Sequence, residues 1–451
     1  MRNRPFLPEA ASARALLLDS FRAAVAAADP LHDGGRMLRT HLPEPPDPRR
    51  GRTLVVGAGK AGASMAAAVE AAWPADAPLS GLVVTRHGHG LPLSRIELVE
   101  AGHPVPDGAG EAAAARILSM VQTLTPDDRL LVLVSGGGSS LLSLPVEAVP
   151  MADLKSVTRA LLASGAPIED MNVLRKHLSR IQGGRLALAS RAPVTALIVS
   201  DVTGDDPSAI ASGPCAPDPS TFADALAVLA RWRVPPPPAV AAWLQSGAEG
   251  RVEDTPKPGD PRLAHATNTI VATPRASLLA AAEVFRAAGV TPVLLGDTVT
   301  GEARDVGSAF ASIAREVALH GSPAWPRPVA LISGGECTVT LRGTATGGPA
   351  AATSARGGRC SEFLLSLACA LQGLPGVHAI AADTDGIDGS ESNAGALLAP
   401  DSLARAAALG LQARDRLDAN DAWGFFDALD DLVVTGPTLT NVNDYRAILV
   451  A

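Results

Sequence analysis

The sequence predicts an α/β protein of two αβα-sandwich domains, the N-terminal one Rossmann-like. Three observations carry this. Short apolar, β-branched runs recur over 53–56, 129–134, 195–200, 329–333 and 377–382, and alanine-rich helical stretches alternate with them. The tips of these runs are rich in glycine or acid, where open α/β sheets hold their ligands. A proline-dense stretch interrupts the rhythm past the middle of the 451 residues, and at ~150 residues per domain the chain holds two to three.

Each element follows in order. Leu17, Phe21 and Val25 share one helical face, and Arg14, Asp19 and Arg22 break up the apolar segment. The first segment therefore reads as a domain helix, not a signal peptide. Residues 53–62, TLVVGAGKAG, read as a buried strand, a tight turn and the start of a helix over 61–72. Gly57 and Gly59 permit close backbone approach, helix N–H groups face the turn, and Lys60 adds a full charge, so an anion site is expected there. Gly57, Gly59 and Gly62 also match G-x-G-x-x-G, which requires an acid after the next strand. That strand, 81–85, ends in Arg86-His87-Gly88, compatible only with an NADP-type site. The kinase loop G-x-x-x-x-G-K-[ST] does not occur.

His103 sits in a Pro/Gly loop (AGHPVPD) ahead of a helix over 111–123. The strand 129–134 ends in Ser135-Gly136-Gly137-Gly138-Ser139, which fits either a second backbone anion nest or a flexible turn. A helix over 172–185 would carry Arg175, Lys176, His177, Arg180 and Arg185, with Lys176 and Arg180 on one face, either solvated or turned to a ligand. Strand 195–200 ends in Asp201, either a functional carboxylate or an Asx-turn cap. Pro235–Pro238 and PKPGDP at 256–261 mark a linker. The boundary is set near 255, with domains over 8–255 and 262–451.

The second half repeats the rhythm, with strands over 269–273, 291–295 and 329–333 and helices over 274–288 and 301–320. The third strand ends in Gly334-Gly335-Glu336. A loop over 344–359 ends in Gly357-Gly358-Arg359 at the N-terminus of a helix over 361–371, where an anion would offset both the arginine and the helix dipole. Strand 377–382 ends in Asp383-Thr384-Asp385-Gly386, acids suited to Mg²⁺. The chain closes through Thr440-Asn441-Val442-Asn443-Asp444 into a last strand over 447–450.

Composition narrows the function classes. Lys and Arg number 38 against 46 Asp and Glu, a net charge of −8, which argues against a dedicated nucleic-acid binder. Four scattered cysteines without a C-x-x-C pair argue against a disulfide framework or structural zinc. No apolar run approaches the ~20 residues of a membrane helix. A cytoplasmic protein is expected. Glycine nests, acidic strand tips, Lys60 and Arg359 are together the ingredients of phosphoryl transfer.

These landmarks, in this order, resemble the type II glycerate 2-kinases, whose C-terminal region is the MOFRL domain, here about 325–445. The match runs from GAGKA at 57, HPVPD at 103, SGGGS at 135 and LRKHLS at 174 through GGRLA at 183, SDV at 200 and ASGP at 211. It continues through SGGE at 333, GGR at 357, DTDG at 383, TGPT at 435 and TNVND at 440. The resemblance implies ATP- and Mg²⁺-dependent phosphorylation of the 2-hydroxyl of D-glycerate, in a cleft between two domains. Lys60 would stabilise the transferring phosphoryl group, Asp201 would orient or deprotonate the hydroxyl, and Arg359 would act from the other domain. Lys176, Arg180 and the 135–139 turn would hold the glycerate carboxylate. Gly57, Gly59, Gly334, Gly335, Glu336 and Asn441 would line the substrates, and Asp383 or Asp385 would take the metal. A monomer or a homodimer fits equally.

The sequence departs from the family pattern twice. Gly-Gly-Arg is followed by Cys360-Ser361-Glu362, where the family commonly has Asn-Gln-Glu, and position 439 is Leu, where glycine is usual. Both bear on nucleotide preference or substrate choice. The rival reading is an NADP-linked hydroxypyruvate reductase using Arg86.

Overall fold

The computed structural model describes residues 10–321, 324–341 and 355–451. It divides into two compact units, residues 30–272 and residues 1–29 with 273–451.

In the 30–272 unit, six strands form one fully parallel sheet: β1 (Thr53–Ala58), β2 (Leu79–Arg86), β3 (Ile96–Ala101), β4 (Arg129–Val134), β5 (Val194–Val199) and β6 (Ala266–Ala272). Their order is β3-β2-β1-β4-β5-β6. This is the Rossmann order, in which chain direction across the sheet reverses between β1 and β4. β1 is buried at all six positions, as a central parallel strand must be. The core packs strand residues Val56, Leu82, Val132 and Ala196 against Ile117 and Val121 of helix Gly108–Gln122. Asp107 caps that helix, accepting from the Gly110 N–H at 2.9 Å.

The second unit is also a sandwich, but its sheet is mixed. The strands are β7 (Thr291–Gly296), β8 (Gly301–Glu302), β9 (Val329–Ser333), β10 (Cys337–Thr338), β11 (Val377–Asp383), β12 (Gly395–Leu398), β13 (Leu432–Val433) and β14 (Asp444–Val450). Six of them run β13-β12-β11-β14-β9-β7, and β8 pairs with β10 apart from these. The final strand β14 inserts at the centre, antiparallel to both neighbours and buried throughout. One face is covered by helices Ala10–Ala26 and Pro274–Ala287, the other by helices Ala303–His320 and Arg359–Leu371.

The structure moves the expected boundary at both ends. The first helix belongs with the C-terminal unit: Leu17 and Phe21 are buried there, Phe21 lies 5.9 Å from the Tyr445 ring, and the Tyr445 hydroxyl donates to Ser20 Oγ at 2.8 Å. The proline stretches stay inside the first unit. Pro238 starts helix Pro238–Ala248, and the Pro256 carbonyl accepts from the Asp218 N–H at 2.9 Å. Proline is excluded from sheet interiors, not from helix starts and packed turns, so its density marked edges, not a linker. The helix expected over 172–185 is Ile168–His177, leaving Arg180 beyond its end. Of the loop expected over 344–359, residues 344–354 lie outside the described residues, and Arg359 itself starts its helix.

Candidate functional site

In the parallel sheet, Lys60, the 135–139 turn and Asp201 follow β1, β4 and β5 at the carboxyl edge of three adjacent strands. Lys60 and the turn flank the point where strand order reverses.

The two glycine-rich turns differ in what their amides do. Gly57 lies inside β1, paired on both sides, and a Cβ there would sit 2.0 Å from the Leu133 carbonyl oxygen. Its role is strand packing. The next four amides are committed within the protein: Gly59 to Val84 O at 3.1 Å, Lys60 to Gly136 O at 2.8 Å, Ala61 to Ser135 Oγ at 3.0 Å and Gly62 to Gly59 O at 2.9 Å. The first turn is therefore a scaffold that presents the Lys60 side chain; it is not an anion cradle. By contrast, the N–H groups of Gly136, Gly137 and Ser139 donate to no acceptor among the described residues. Gly137 adopts φ +81°, and a Cβ on it would lie 2.9 Å from His103 Cδ2 and 3.4 Å from Lys60 Cγ. His103 and Lys60 thus close around the open donors of the second turn, a nest that suits a phosphate or carboxylate.

Behind that turn runs a hydrogen-bonded chain. Ser139 Oγ lies 2.9 Å from Ser212 Oγ, Ser212 Oγ donates to Asn172 Oδ1 at 3.0 Å, and Arg175 Nη1 donates to the same oxygen at 3.3 Å. Ala211 and Ser212 both hold left-handed backbone, φ +50° and +59°, of the kind concentrated where a backbone is held for function. In the turn that follows, the Asp206 carboxylate accepts from the Ser208 N–H at 2.8 Å and hydroxyl at 2.9 Å. Asp201 itself is half-buried at the strand tip.

The structure sorts the cationic segment in a way its spacing hid. Lys176 is buried on Asp218 at 3.2 Å, beside His177, which pairs with Asp254 at 2.9 Å. Burial opposes the Asp218 charge, but Lys176 and Ser220 outweigh it and hold the carboxyl below its ordinary range. Arg180 meets Glu147 at 3.3 Å near the surface. Lys176 is therefore a structural charge, and Arg175 is the member that lines a pocket with Ser139 and Gln182. Burial pushes the Arg175 pKa down to about 10. Arg175, Asn172 and Ser212 were not singled out from the sequence as site residues. Ser212 and Arg175 fall within the ASGP and LRKHLS landmarks, and Arg175 is also one of the cations named on the expected helix.

A second cluster, in the other unit, centres on Arg359. Its Nε donates to Asp444 Oδ1 at 2.6 Å, Nη1 to Glu336 Oε1 at 2.6 Å and Nη2 to Asp383 Oδ2 at 2.7 Å. Burial works against the guanidinium charge, but these three carboxylates outweigh it and hold its pKa well above the usual arginine value. The counter-charge expected at this helix start is thus supplied by the protein. Asp385 donates its N–H to Asp383 Oδ1 at 3.1 Å and accepts from the Ile387 N–H at 2.8 Å. Asn441 accepts from the Asn443 N–H at 3.3 Å. Gly334 and Gly335 are packed against β7 and the following turn: Gly334 N–H donates to Gly296 O at 2.9 Å, and a Cβ on Gly335 would lie 2.2 Å from Val299 O. No group of three or more His, Cys, Asp or Glu side chains is spaced as a metal site among the described residues. Asp383 and Asp385 offer hard oxygen donors of the kind Mg²⁺ takes.

The two departures from the family pattern are resolved locally. Cys360 and Ser361 are buried, and their N–H groups donate to Asp388 at 2.9 and 2.8 Å. Glu362 is buried on Arg304 Nη2 at 2.6 Å and Asn420 at 2.9 Å. These positions anchor a helix start. Leu439 has φ +61°, so the position needs the backbone that glycine adopts freely.

No helix among the described residues is long and apolar enough to cross a membrane. Residues 16–245 match the family model of a domain of unknown function, DUF4147, and residues 329–444 match the MOFRL family. An Agrobacterium vitis protein named "Putative hydroxypyruvate reductase" is 52% identical over 97% of this chain and 95% of its own length. A Pyrococcus horikoshii protein named "Glycerate 2-kinase" is 36% identical over 89% of this chain and 88% of its own. The crystal structure of a glycerate kinase from Thermotoga maritima superposes with a TM-score of 0.82 at 34% identity, covering 98% of this chain and all of that one.

Proposed function

The chain belongs to the glycerate kinase family, and we propose from that premise that it transfers the γ-phosphoryl group of ATP to the 2-hydroxyl of D-glycerate, giving 2-phosphoglycerate. The observation that carries this reading is the pairing of a lysine with an open backbone nest at the carboxyl edge of the parallel sheet. Lys60 and the amides of Gly136, Gly137 and Ser139 converge on one turn, and Asp201 stands two strands away. Phosphoryl transfer asks for charge and positioned donors around the moving group, with a carboxylate near the attacking hydroxyl.

In this reading Lys60 and the nest neutralise the phosphoryl oxygens, and Asp201 orients the hydroxyl and accepts its proton. The family resemblance would add Arg359, held by Asp383, Asp444 and Glu336 within its own unit, as a second cation. Mg²⁺ carried on the ATP phosphates would be held by Asp383 or Asp385 and would supply further charge neutralisation.

The reductase reading is weakened by the first glycine turn. A dinucleotide pyrophosphate needs the amides there, and those of Gly59 to Gly62 are spent on protein acceptors.

A product assay separates the two. Purified protein with ATP, Mg²⁺ and D-glycerate is coupled to enolase without phosphoglycerate mutase, so that only 2-phosphoglycerate gives signal. A parallel reaction holds hydroxypyruvate with NADH or NADPH. Signal in the first alone is expected; cofactor oxidation in the second alone would overturn the kinase reading.

A further inference from the structure

We propose that the pocket beside the 135–139 turn receives the carboxylate of the acceptor, with Arg175 as its anchor. The inference rests on the phosphotransfer reading above and assigns the part of that reaction that recognises a short 2-hydroxy carboxylic acid.

The pocket is open to solvent and lies wholly within the 30–272 unit. Three cations line it, Lys155, Arg159 and Arg175, and no aspartate or glutamate does. Arg175 has no carboxylate partner among the described residues. Its hydrogen bond is to the neutral Asn172 Oδ1, at 3.3 Å. A guanidinium carries five N–H donors, and burying it without a counter-ion is costly unless an anion completes the site. Arg175 differs in this from Arg359, whose guanidinium meets three carboxylates.

The position of Arg175 ties it to the reaction. The chain from Arg175 through Asn172 and Ser212 to Ser139 ends on the nest. A carboxylate on Arg175 therefore sits next to the donors that would hold the phosphoryl group, as a 2-hydroxy acid requires. Lys155 and Arg159 stand four residues apart on helix Met151–Ser164, a like-charge pair that destabilises a helix unless an anion offsets it. Leu154 of the same helix, which is buried, supplies apolar wall beside them.

The test compares the full-length protein with Arg175→Gln and Arg159→Glu. Calorimetric binding of D-glycerate is measured without nucleotide, and turnover is measured with D-glycerate and with glycerol, which lacks the carboxylate. Arg175→Gln is expected to weaken glycerate binding and raise its KM roughly a hundredfold, while the KM for ATP and the slow turnover of glycerol stay within about threefold. Arg159→Glu, at an exposed position that tolerates the change in folding, is expected to weaken glycerate binding by about fivefold through its charge. Circular dichroism establishes that both variants fold.

Glycerate affinity unchanged in both variants would overturn the inference, as would equal losses for glycerate and ATP in folded Arg175→Gln. If the wild type forms no 2-phosphoglycerate, the phosphotransfer reading fails by itself. Calorimetry then still decides the pocket: glycerate binding lost in Arg175→Gln supports it, and no binding in the wild type overturns it.

Discussion

Asp444 bridges two arginines: Oδ1 accepts from Arg359 Nε at 2.6 Å, and Oδ2 accepts from Arg446 Nη2. Asp444 is fully buried and Arg446 nearly so, which makes this carboxylate the ballast for two guanidiniums. Removing one member of such a group leaves uncompensated charge inside the protein. Asp444→Asn is expected to destabilise the fold by about 3–5 kcal/mol, read by urea denaturation. Arg359→Lys keeps the charge but cannot span Asp444, Glu336 and Asp383 together. Its kcat is expected to fall roughly a hundredfold with little change in the KM for glycerate. A near-normal kcat would remove Arg359 from the proposed reaction.

Lys60 gives the complementary test. Its backbone N–H donates to Gly136 O, so the main chain stays anchored when the side chain is cut. Lys60→Ala should therefore fold normally and lose kcat by about two to three orders of magnitude, with substrate binding changed much less, because the charge matters most as the phosphoryl group moves. Asp201→Asn is expected to behave alike. Retention of near-full kcat in either would sink the role assigned to it.

The glycines separate scaffold from site. A methyl on Gly57 collides with the Leu133 carbonyl inside the sheet, with no flexible group to yield. Gly57→Ala is thus a folding mutant, expected as loss of soluble protein. Gly137→Ala meets the edge of the His103 ring, a side chain that can shift, but its φ of +81° then strains the nest. It is expected to fold, about 1–2 kcal/mol less stable, with kcat reduced at least roughly tenfold. Unaltered kinetics in folded Gly137→Ala would remove the nest from catalysis.

The contrast shows where the sequence is legible. Strands β1, β4 and β9 are legible because strands buried on both faces read as unbroken apolar runs. The β14 insertion is not, since a strand's partner and direction depend on contacts that no local pattern encodes. Lys60, the 135–139 turn and Asp201 are legible as strand-end positions because each follows an apolar run. Gly57 looked like part of an anion loop because glycine serves close packing and open turns equally well. Arg175 and Lys176 look alike in the sequence because neighbouring helical cations differ only once burial separates them, Lys176 onto Asp218 and Arg175 onto the pocket. The proline stretch around 256 mimicked a linker for a related reason: proline marks where regular structure stops, whether or not a domain stops there.

Leu439 tests one departure directly. Its φ of +61° is already in the glycine-favoured region, so Leu439→Gly changes the side chain without redirecting the backbone. Relief of about 1–2 kcal/mol of left-handed cost is offset by the lost contacts of a half-buried leucine and by a freer unfolded chain. Stability is expected to move by less than about 1 kcal/mol, and kcat and both KM values by less than about threefold. A large change in the KM for ATP or glycerate would instead make Leu439 a specificity residue.

Asp388 sets a pH dependence with a definite sign. It is fully buried under the helix that Arg359 begins, accepting from the Cys360 and Ser361 N–H groups, and burial pushes its pKa from 3.8 up to about 6. A carboxyl whose folded pKa is raised favours the native state while it is protonated. That contribution is complete below about pH 3.8 and is lost as pH rises through about 6. In Asp388→Asn the titration is gone, while the amide places an N–H₂ group against those donors and costs stability at every pH. The difference in unfolding free energy between wild type and Asp388→Asn is therefore expected to shrink by roughly 2–3 kcal/mol between pH 4 and pH 7. Urea melts of both proteins across that range measure it. A difference that stays flat or grows with pH would show that the three hydrogen bonds from Cys360 and Ser361 hold Asp388 ionised despite its burial.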